Sequence, residues 1–229
     1  MIGDKADENR ILHILGGKGG VRGCGCCHQL HHRHRDEYQH HALRHADYRA
    51  EAAVHLIREG STIYIGAGTT GHALASKLGC FHHLTVLTND IDVAHEISYT
   101  DNVLIMTGGQ LKPHSQTLYG FFAELTLRDL NVDTAFMIVD AVDLDNGFMD
   151  YNVDEVSLKR LVIQNAKQCI MLCDAAKFQI SALVNVCRLN DVQTVVTNAE
   201  ADPVYLQRLQ NAGIKVVCAD KKANEGESL

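Results

Sequence analysis

The sequence predicts an α/β fold in which a mostly parallel sheet is covered by helices on both faces. The first observation is an alternation, from about residue 47 onward, of short apolar segments with longer segments of helical spacing. Strands that are apolar nearly throughout are typical of a parallel sheet buried on both sides. The second observation is that glycines or short polar residues follow one strand after another, as they do where such sheets bind ligands.

The predicted strands and helices follow one another in the order that this fold requires. Ala50, Ala53 and Ile57 recur at helical spacing, and Ile63 and Ile65 then alternate as in a short strand. Strands are predicted at 61–66, 85–90, 102–107, 134–139, 169–174, 193–197 and 214–218. Helices are predicted near 91–98, 117–130, 152–167 and 203–212, with a further helix that starts at Thr69.

Composition and charge limit the possible functions. With 229 residues, of which 46% are hydrophobic and 21% charged, the chain has the composition of a globular protein. Residues 1–50 carry eight Lys or Arg against six Asp or Glu, whereas the net charge of the whole chain is −7. The acidic character of residues 51–229 argues against a broad nucleic-acid-binding surface there.

Targeting signals and cysteines indicate a reduced intracellular setting. No apolar run reaches the length of a membrane span, and the N-terminus shows no signal-peptide pattern, so we expect a cytoplasmic protein. Five cysteines stand singly among apolar residues and are expected to be reduced core thiols: Cys80, Cys169, Cys173, Cys187 and Cys218.

Residues 1–46 form a segment unlike the rest. A short helix is predicted at 8–16, and residues 22–49 carry seven histidines and three cysteines with almost no branched aliphatic residue. The Cys and His content raises the possibility of a zinc site. The segment has too few apolar residues to build a core of its own, so a poorly ordered or locally disrupted segment without a metal is the favoured interpretation.

The stretch after the first strand has the pattern of an anion-binding turn. Gly66, Ala67 and Gly68 form a glycine-framed turn, and Thr69 and Thr70 stand where a helix begins. The first helical turn leaves backbone N–H groups unpaired, and glycines allow a ligand to approach them. The alternative is an ordinary strand-to-helix turn in which a threonine caps the helix.

Other strand ends repeat this polar character. The further candidate ligand-binding residues at these ends are Thr88, Asn89, Asp90, Gly108, Gly109, Asp140, Asp174 and Lys177. Each of them alone is also explained as a helix cap or a turn residue. Their repetition at successive ends predicts a small, oxygen-rich, anionic ligand.

An ordered set of motifs resembles the C-terminal effector domain of DeoR/GlpR-family transcriptional regulators. The set comprises G-A-G-T-T at 66–70, T-V-L-T-N-D at 85–90, G-G-Q-L at 108–111, V-D-T-A-F at 132–136, Glu155 with Lys159, D-A-A-K-F at 174–178 and V-V-T-N at 195–198. The resemblance covers roughly residues 47–220. It implies a fold like that of ribose-5-phosphate isomerase over a domain of residues 47–229.

The resemblance also implies a function. Such domains sense phosphorylated sugars or polyols and control the binding of an attached helix-turn-helix to operator DNA, commonly as homo-oligomers. By this resemblance, residues 66–70 would hold the phosphate, and Asn89, Asp90, Asp140, Glu155 and Lys177 would line the sugar end. Neither a cofactor nor a catalytic residue is implied.

The N-terminus departs from the family pattern. Residues 9–21 resemble the first helix of the family's DNA-binding domain, but no recognition helix follows. About 25 residues separate that helix from the effector domain, which is too few for a complete DNA-binding domain. The hypothesis is therefore a truncated or disrupted helix-turn-helix in residues 1–46, with impaired DNA binding.

The alternative function is a sugar-phosphate isomerase. Glu155 or Asp140 would then be the carboxylate base, and Lys177 would stabilise the enediolate. Two structural interpretations also stay open: Lys177 as a solvated turn residue, and Glu155 as a surface residue or the partner of Lys159.

Overall fold

The computed structural model describes residues 43–113 and 115–219, and the predictions made for residues 1–42 lie outside this range. Its centre is a seven-stranded, entirely parallel sheet. The strands are β1 (Thr62–Ile65), β2 (Thr85–Thr88), β3 (Val103–Met106), β6 (Val132–Met137), β9 (Ala166–Leu172), β11 (Thr194–Asn198) and β12 (Lys215–Ala219). They lie side by side in the order β12-β11-β9-β6-β1-β2-β3. All seven predicted strands are present, which confirms the predicted fold class.

Helices connect these strands. Their bounds are α1 (43–54), α2 (Thr69–Ala75), α3 (Ile91–Ile97), α4 (Phe121–Leu127), α5 (Val153–Asn165) and α6 (Pro203–Asn211). α1 is already helical at residue 43, upstream of the predicted start of the effector domain at 47. Within the described ranges, no helix is long and apolar enough to cross a membrane.

The sheet separates two apolar cores. Ile63 and Ile65 of β1 are fully buried in the core that α1, α2 and α3 cover. Tyr64, between them, points to the opposite face and joins the core beneath α4 and α5. The alternation in β1 therefore places successive side chains in different cores, as strand geometry requires.

Short strands outside the main sheet were not predicted. β4 (Gln110–Leu111) pairs with β5 (Leu118–Tyr119), and β8 (Gly147–Asp150) lies between β7 (Ala141–Asp143) and β10 (Val184–Cys187). The helix predicted at 117–130 is consequently shorter, because β5 occupies its first residues and α4 begins only after Gly120. Gly120 has a φ of 88°, which is outside the helical region. The strand therefore ends before Gly120, and the helix begins after it.

Candidate effector site

The loop from Gly66 to Thr70 joins β1 to α2 at the carboxyl edge of the sheet. Gly68 has a φ of 133°, a conformation that strongly favours glycine. A Cβ on Gly71 would lie 2.2 Å from the Gly66 carbonyl oxygen, so the third glycine allows α2 to pack directly on the end of β1. Within the described residues, no side-chain hydrogen bond caps the start of α2.

A cavity of about 370 Å³ opens over this loop. Its lining comes from α1, the loop, the β4–β5 hairpin, the ends of β6, β8 and β9, and α5. The lining residues are Arg49, Ala67, Gly68, Thr69, Thr70, Lys112, Ser115, Thr117, Ile138, Val139, Asp140, Asp150, Asn152, Glu155, Lys159, Leu172, Asp174 and Lys177. The cavity thus lies where ligands bind in open parallel sheets.

Every cationic side chain that lines the cavity is paired with a carboxylate that also lines it. The pairs are Arg49–Asp174 at 2.5 Å, Lys159–Asp150 at 2.6 Å, Lys112–Glu155 at 3.3 Å and Lys177–Asp140 at 3.8 Å. The wall therefore has four positive and four negative side chains and carries little net charge. Such a wall fits a ligand with an anionic group and several hydroxyls.

Arg49 lies deepest among these cations, with 4% of its surface exposed. Its Nη1 donates to Asp174 Oδ2 at 2.5 Å and to Asn198 Oδ1 at 2.6 Å, and its Nη2 donates to Thr70 Oγ1 at 3.0 Å. The Thr70 hydroxyl accepts from Arg49 and keeps its own proton for another acceptor. The guanidinium lies directly beneath the loop that the sequence predicted to hold a phosphate.

Eight of the predicted binding residues line this cavity: Ala67, Gly68, Thr69, Thr70, Asp140, Glu155, Asp174 and Lys177. Glu155 is only 8% exposed and pairs with Lys112 of the hairpin, so it is neither a surface residue nor the partner of Lys159. Lys159 instead bonds to Asp150 and to the Ile138 carbonyl. Lys177 contacts Asp140 and is not a fully solvated turn residue.

The remaining predicted residues lie outside the cavity lining: Gly66, Thr88, Asn89, Asp90, Gly108 and Gly109. Asp90 caps α3 by accepting from Asp92 N at 2.8 Å and Val93 N at 3.1 Å. Asn89 accepts from the Tyr64 hydroxyl at 2.7 Å and donates to the Leu118 carbonyl at 3.0 Å. Thr88 donates to the Ile65 carbonyl at 2.8 Å.

The glycines outside the cavity serve packing. Gly66 donates its N–H to the Phe136 carbonyl at 2.9 Å, which extends the pairing of β1 with β6. Gly108 and Gly109 both have positive φ, and a Cβ on Gly109 would lie 2.6 Å from the Tyr119 carbonyl oxygen. These two glycines therefore allow the β4–β5 hairpin to turn back over the sheet.

Sequence reasoning missed several residues that line the cavity, chiefly Arg49, Lys112 and Asp150. It also did not predict that Lys159 pairs with Asp150 in the cavity wall. Arg49 was not found because it adjoins the histidine-rich stretch, and its partner Asp174 lies 125 residues away. The G-x-G-x-x-G spacing that includes Gly71 was a usable signal in the sequence.

The pKa values of two aspartates at the carboxyl edge of the sheet, Asp90 and Asp174, are shifted in opposite directions. Burial raises the pKa of Asp90, although N–H groups of Val93, Asp92 and Gly68 act against the shift. Burial also acts to raise the pKa of Asp174, but the Ala176 N–H and the Arg49 guanidinium outweigh it and hold that pKa below its ordinary value. Asp174 is therefore held as a carboxylate.

A second and larger cavity, of about 600 Å³, lies near the amino ends of β9 and β11. Arg160, Cys169, Asn185, Arg188 and Gln193 are among its lining residues, and none of the predicted binding residues lines it. Among the described residues, no group of three or more His, Cys, Asp or Glu side chains is placed to hold a metal ion. The zinc hypothesis concerns residues outside the described range.

Comparison with known proteins agrees with the sequence resemblance. Residues 48–199 match the family model described as the DeoR C terminal sensor domain. The putative aga operon transcriptional repressor of Escherichia coli is 32% identical over 169 residues, which cover 73% of this chain and 63% of the relative. The HTH-type transcriptional regulator GolR of Listeria innocua is 27% identical over 172 residues, with coverages of 75% and 68%.

A further relative is the glycerol-3-phosphate regulon repressor of Escherichia coli, which is 26% identical over 73% of this chain and 67% of its own length. This chain thus spans about two thirds of the length of the curated relatives it matches. Among solved structures, the ribose 5-phosphate isomerase of Methanocaldococcus jannaschii aligns with a TM-score of 0.43 and 18% identity, covering 58% of this chain and 53% of the isomerase.

Proposed function

We propose a function on the premise that this chain belongs to the DeoR family, whose sensor-domain model matches residues 48–199. The chain is the effector-sensing part of a transcriptional regulator of sugar metabolism. Its effector is a phosphorylated sugar or polyol, and its site is the cavity over the loop at 66–70. The named relatives are transcriptional regulators, and one of them carries glycerol 3-phosphate in its name.

The observation that carries this proposal is that four ion pairs and the loop at residues 66–70 line one cavity. Arg49, Thr69 and Thr70 lie together at one end of the cavity, where they offer donors to a phosphate. Asp140 and Glu155 line the same cavity and offer acceptors to hydroxyl groups. A ligand with a phosphate and a polyol chain satisfies both ends.

Thr88, Asn89 and Asp90 are assigned a supporting role in this proposal. Asp90 accepts from the Gly68 N–H as well as from two N–H groups of α3, so it holds the loop of residues 66–68 in place. Asn89 holds β5, and with it the hairpin that carries Lys112, against the sheet. These residues shape the cavity without touching the effector.

Operator DNA is the second partner in the proposal, by analogy with the named repressors. Binding to DNA would depend on residues upstream of α1, since residues 51–229 carry more Asp and Glu than Lys and Arg. We propose that this binding is weak, as the absence of a recognisable recognition helix in residues 1–46 indicates. The regulator would act in the cytoplasm.

Self-association is part of the proposal. Phe121, Phe122 and Leu125 of α4 are 64%, 66% and 44% exposed in the single chain. Exposed apolar side chains grouped on one helix are typical of a contact between protein molecules. Replacement of Phe122 by Lys should lower the molar mass measured by light scattering if this helix joins two copies.

The test is thermal melting of the protein against sugar and polyol phosphates and their unphosphorylated parents. A ligand at a hundred times its Kd stabilises the fold by about 2.7 kcal/mol, which raises Tm by a few degrees. We expect a rise with phosphorylated compounds alone. A rise with the parents alone would contradict a phosphate site, and conversion of the responding compound to a product would favour the isomerase over the sensor.

A further inference from the structure

Arg49 connects the proposed effector cavity to α1, the helix that directly follows the N-terminal segment in the chain. Its guanidinium contacts groups at the ends of three strands: Thr70 after β1, Asp174 after β9 and Asn198 at the end of β11. The side chain belongs to α1, which spans residues 43–54. Arg49 therefore lines the cavity although it belongs to α1, and no other residue of α1 lines the cavity.

The first half of α1 is held to the sheet largely by polar contacts. Its fully buried apolar residues are the alanines Ala46 and Ala50, whose side chains bury little surface. The larger apolar residues Val54, Leu56 and Ile57 pack only beyond or at the end of the helix. The position of the first half of α1 therefore depends on polar bonds, which include those of Arg49 and the contact of His45 with Asn198.

A second polar link joins α1 to α2. Lys77, just after α2, contacts Asp47 at 2.7 Å and Glu51 at 3.3 Å, and the pairing raises the pKa of Lys77 although burial acts to lower it. Arg49 reaches the first turn of α2, and Lys77 follows its last turn. The two helices are thus joined at both ends of α2.

We propose that Arg49 couples effector occupancy to the docking of α1. This inference rests on the proposed function, because it requires an anionic effector at the loop of residues 67–70. An anion there adds a charge-assisted acceptor beside the Thr70 hydroxyl and the guanidinium, which favours the conformation in which Arg49 is docked. Since coupling is reciprocal, anything that undocks α1 weakens effector binding by the same factor.

Amide hydrogen exchange of the full chain measures this coupling directly. The probes are glycerol 3-phosphate and inorganic phosphate, with glycerol as the uncharged comparison. At ten times its Kd, a probe slows by about tenfold the exchange of amides whose opening destroys its site. We expect this slowing in residues 46–54 as well as in residues 68–72, and none with glycerol.

The variant Arg49→Lys keeps the positive charge but loses the planar array of donors with which Nη1 and Nη2 bond to Asp174, Asn198 and Thr70. We expect glycerol 3-phosphate still to raise the Tm of this variant and to slow exchange at 68–72, while the slowing in α1 is lost. Arg58→Lys is the matched control, because Arg58 is 79% exposed in its side chain and lies outside the cavity lining. The control should behave as the original chain does.

The outcomes separate the coupling from the proposed function. Slowing at 68–72 without slowing in α1 of the original chain would overturn the coupling and leave the phosphate site standing. Unchanged α1 slowing in Arg49→Lys would also overturn it. If no phosphorylated compound of the melting panel raises Tm, the proposed function fails and the coupling falls with it. If Arg49→Lys does not fold, the exchange data of the original chain decide alone.

Discussion

Two neighbouring strand ends, residues 66–70 after β1 and residues 88–90 after β2, have similar polar sequences but different uses. At the second end, Asp90 caps α3, and Asn89 and Thr88 bond to the Leu118 and Ile65 carbonyls. At the first end, α2 starts without a side-chain cap among the described residues, and Thr69 is exposed to the cavity. Whether the next helix uses its own polar residues decides which strand end remains available for a ligand.

The largest effect is expected from Gly71→Ala, which would push the start of α2 away from the end of β1. The new Cβ would lie 2.2 Å from the Gly66 carbonyl oxygen, so α2 must shift. We expect a loss of about 1–3 kcal/mol in unfolding free energy and loss of effector binding. Gly79→Ala is the matched control, because a Cβ there meets nothing within 4 Å. Equal urea midpoints for the two variants would contradict the close packing.

One variant at each strand end should separate an effect on stability from an effect on ligand binding. Asp90→Ala removes a helix cap and should lower the unfolding free energy by about 0.5–2 kcal/mol. Thr69→Val, at the exposed end, should change stability by less than about 0.5 kcal/mol but weaken phosphate binding. Urea unfolding and calorimetric titration measure the two quantities. Equal stability losses in both variants would remove the distinction between the two ends.

Ionisation of Asp174 and of Asp90 should change the unfolding free energy with pH in opposite directions. Asp174 has a lowered pKa, so its stabilising contribution is present above its ordinary value of 3.8 and is lost as pH falls through the lower folded value. Asp90 has a raised pKa, so its contribution falls as pH rises from 3.8 through the higher folded value.

As pH rises toward about 4, the stability difference between the original chain and Asp174→Asn should therefore grow and then level off, while the difference from Asp90→Asn should shrink as pH rises above about 4. Each slope is at most about 1.4 kcal/mol per pH unit. Urea unfolding at several pH values measures both differences. Slopes of the same sign would show that one of the two electrostatic assignments is wrong.

The smallest effect is expected at the rim of the cavity. Lys177 is 40% exposed in its side chain and lies 3.8 Å from Asp140, so solvent screens its charge. Lys177→Met should weaken binding of a phosphorylated compound by up to about 1 kcal/mol at low salt and by less at high salt. Lys167→Met is the control, since Lys167 pairs with Asp133 outside the cavity. A loss that does not depend on salt would indicate packing.

The sequence predicted the main sheet well because each strand carries its own signal. Ile63 and Ile65 alternate across two cores, and the long apolar run of β9 is buried on both faces. β4 and β5 were missed because strands of two residues are too short to show a period. Their hairpin is held by Asn89, a contact that no local pattern reveals.

The cavity could be predicted only where its residues follow a strand directly. Residues 67–70, Asp140 and Asp174 were found by that rule, together with Lys177 three residues beyond Asp174, and Glu155 was found through the family resemblance. Arg49 and Lys112 come from elements remote in sequence, and only the folded chain brings them to Thr70 and Glu155. Polar type at a strand end could not distinguish a capping aspartate such as Asp90 from a ligand-binding one.

Amide chemical shifts in a titration with glycerol 3-phosphate test the central claim most directly. The account predicts the largest shifts at residues 67–70, much smaller shifts at residues 92 and 93 behind the Asp90 cap, and none of this pattern with glycerol. Largest shifts around Arg160 and Gln193, in the other cavity, would contradict the assignment of the effector site.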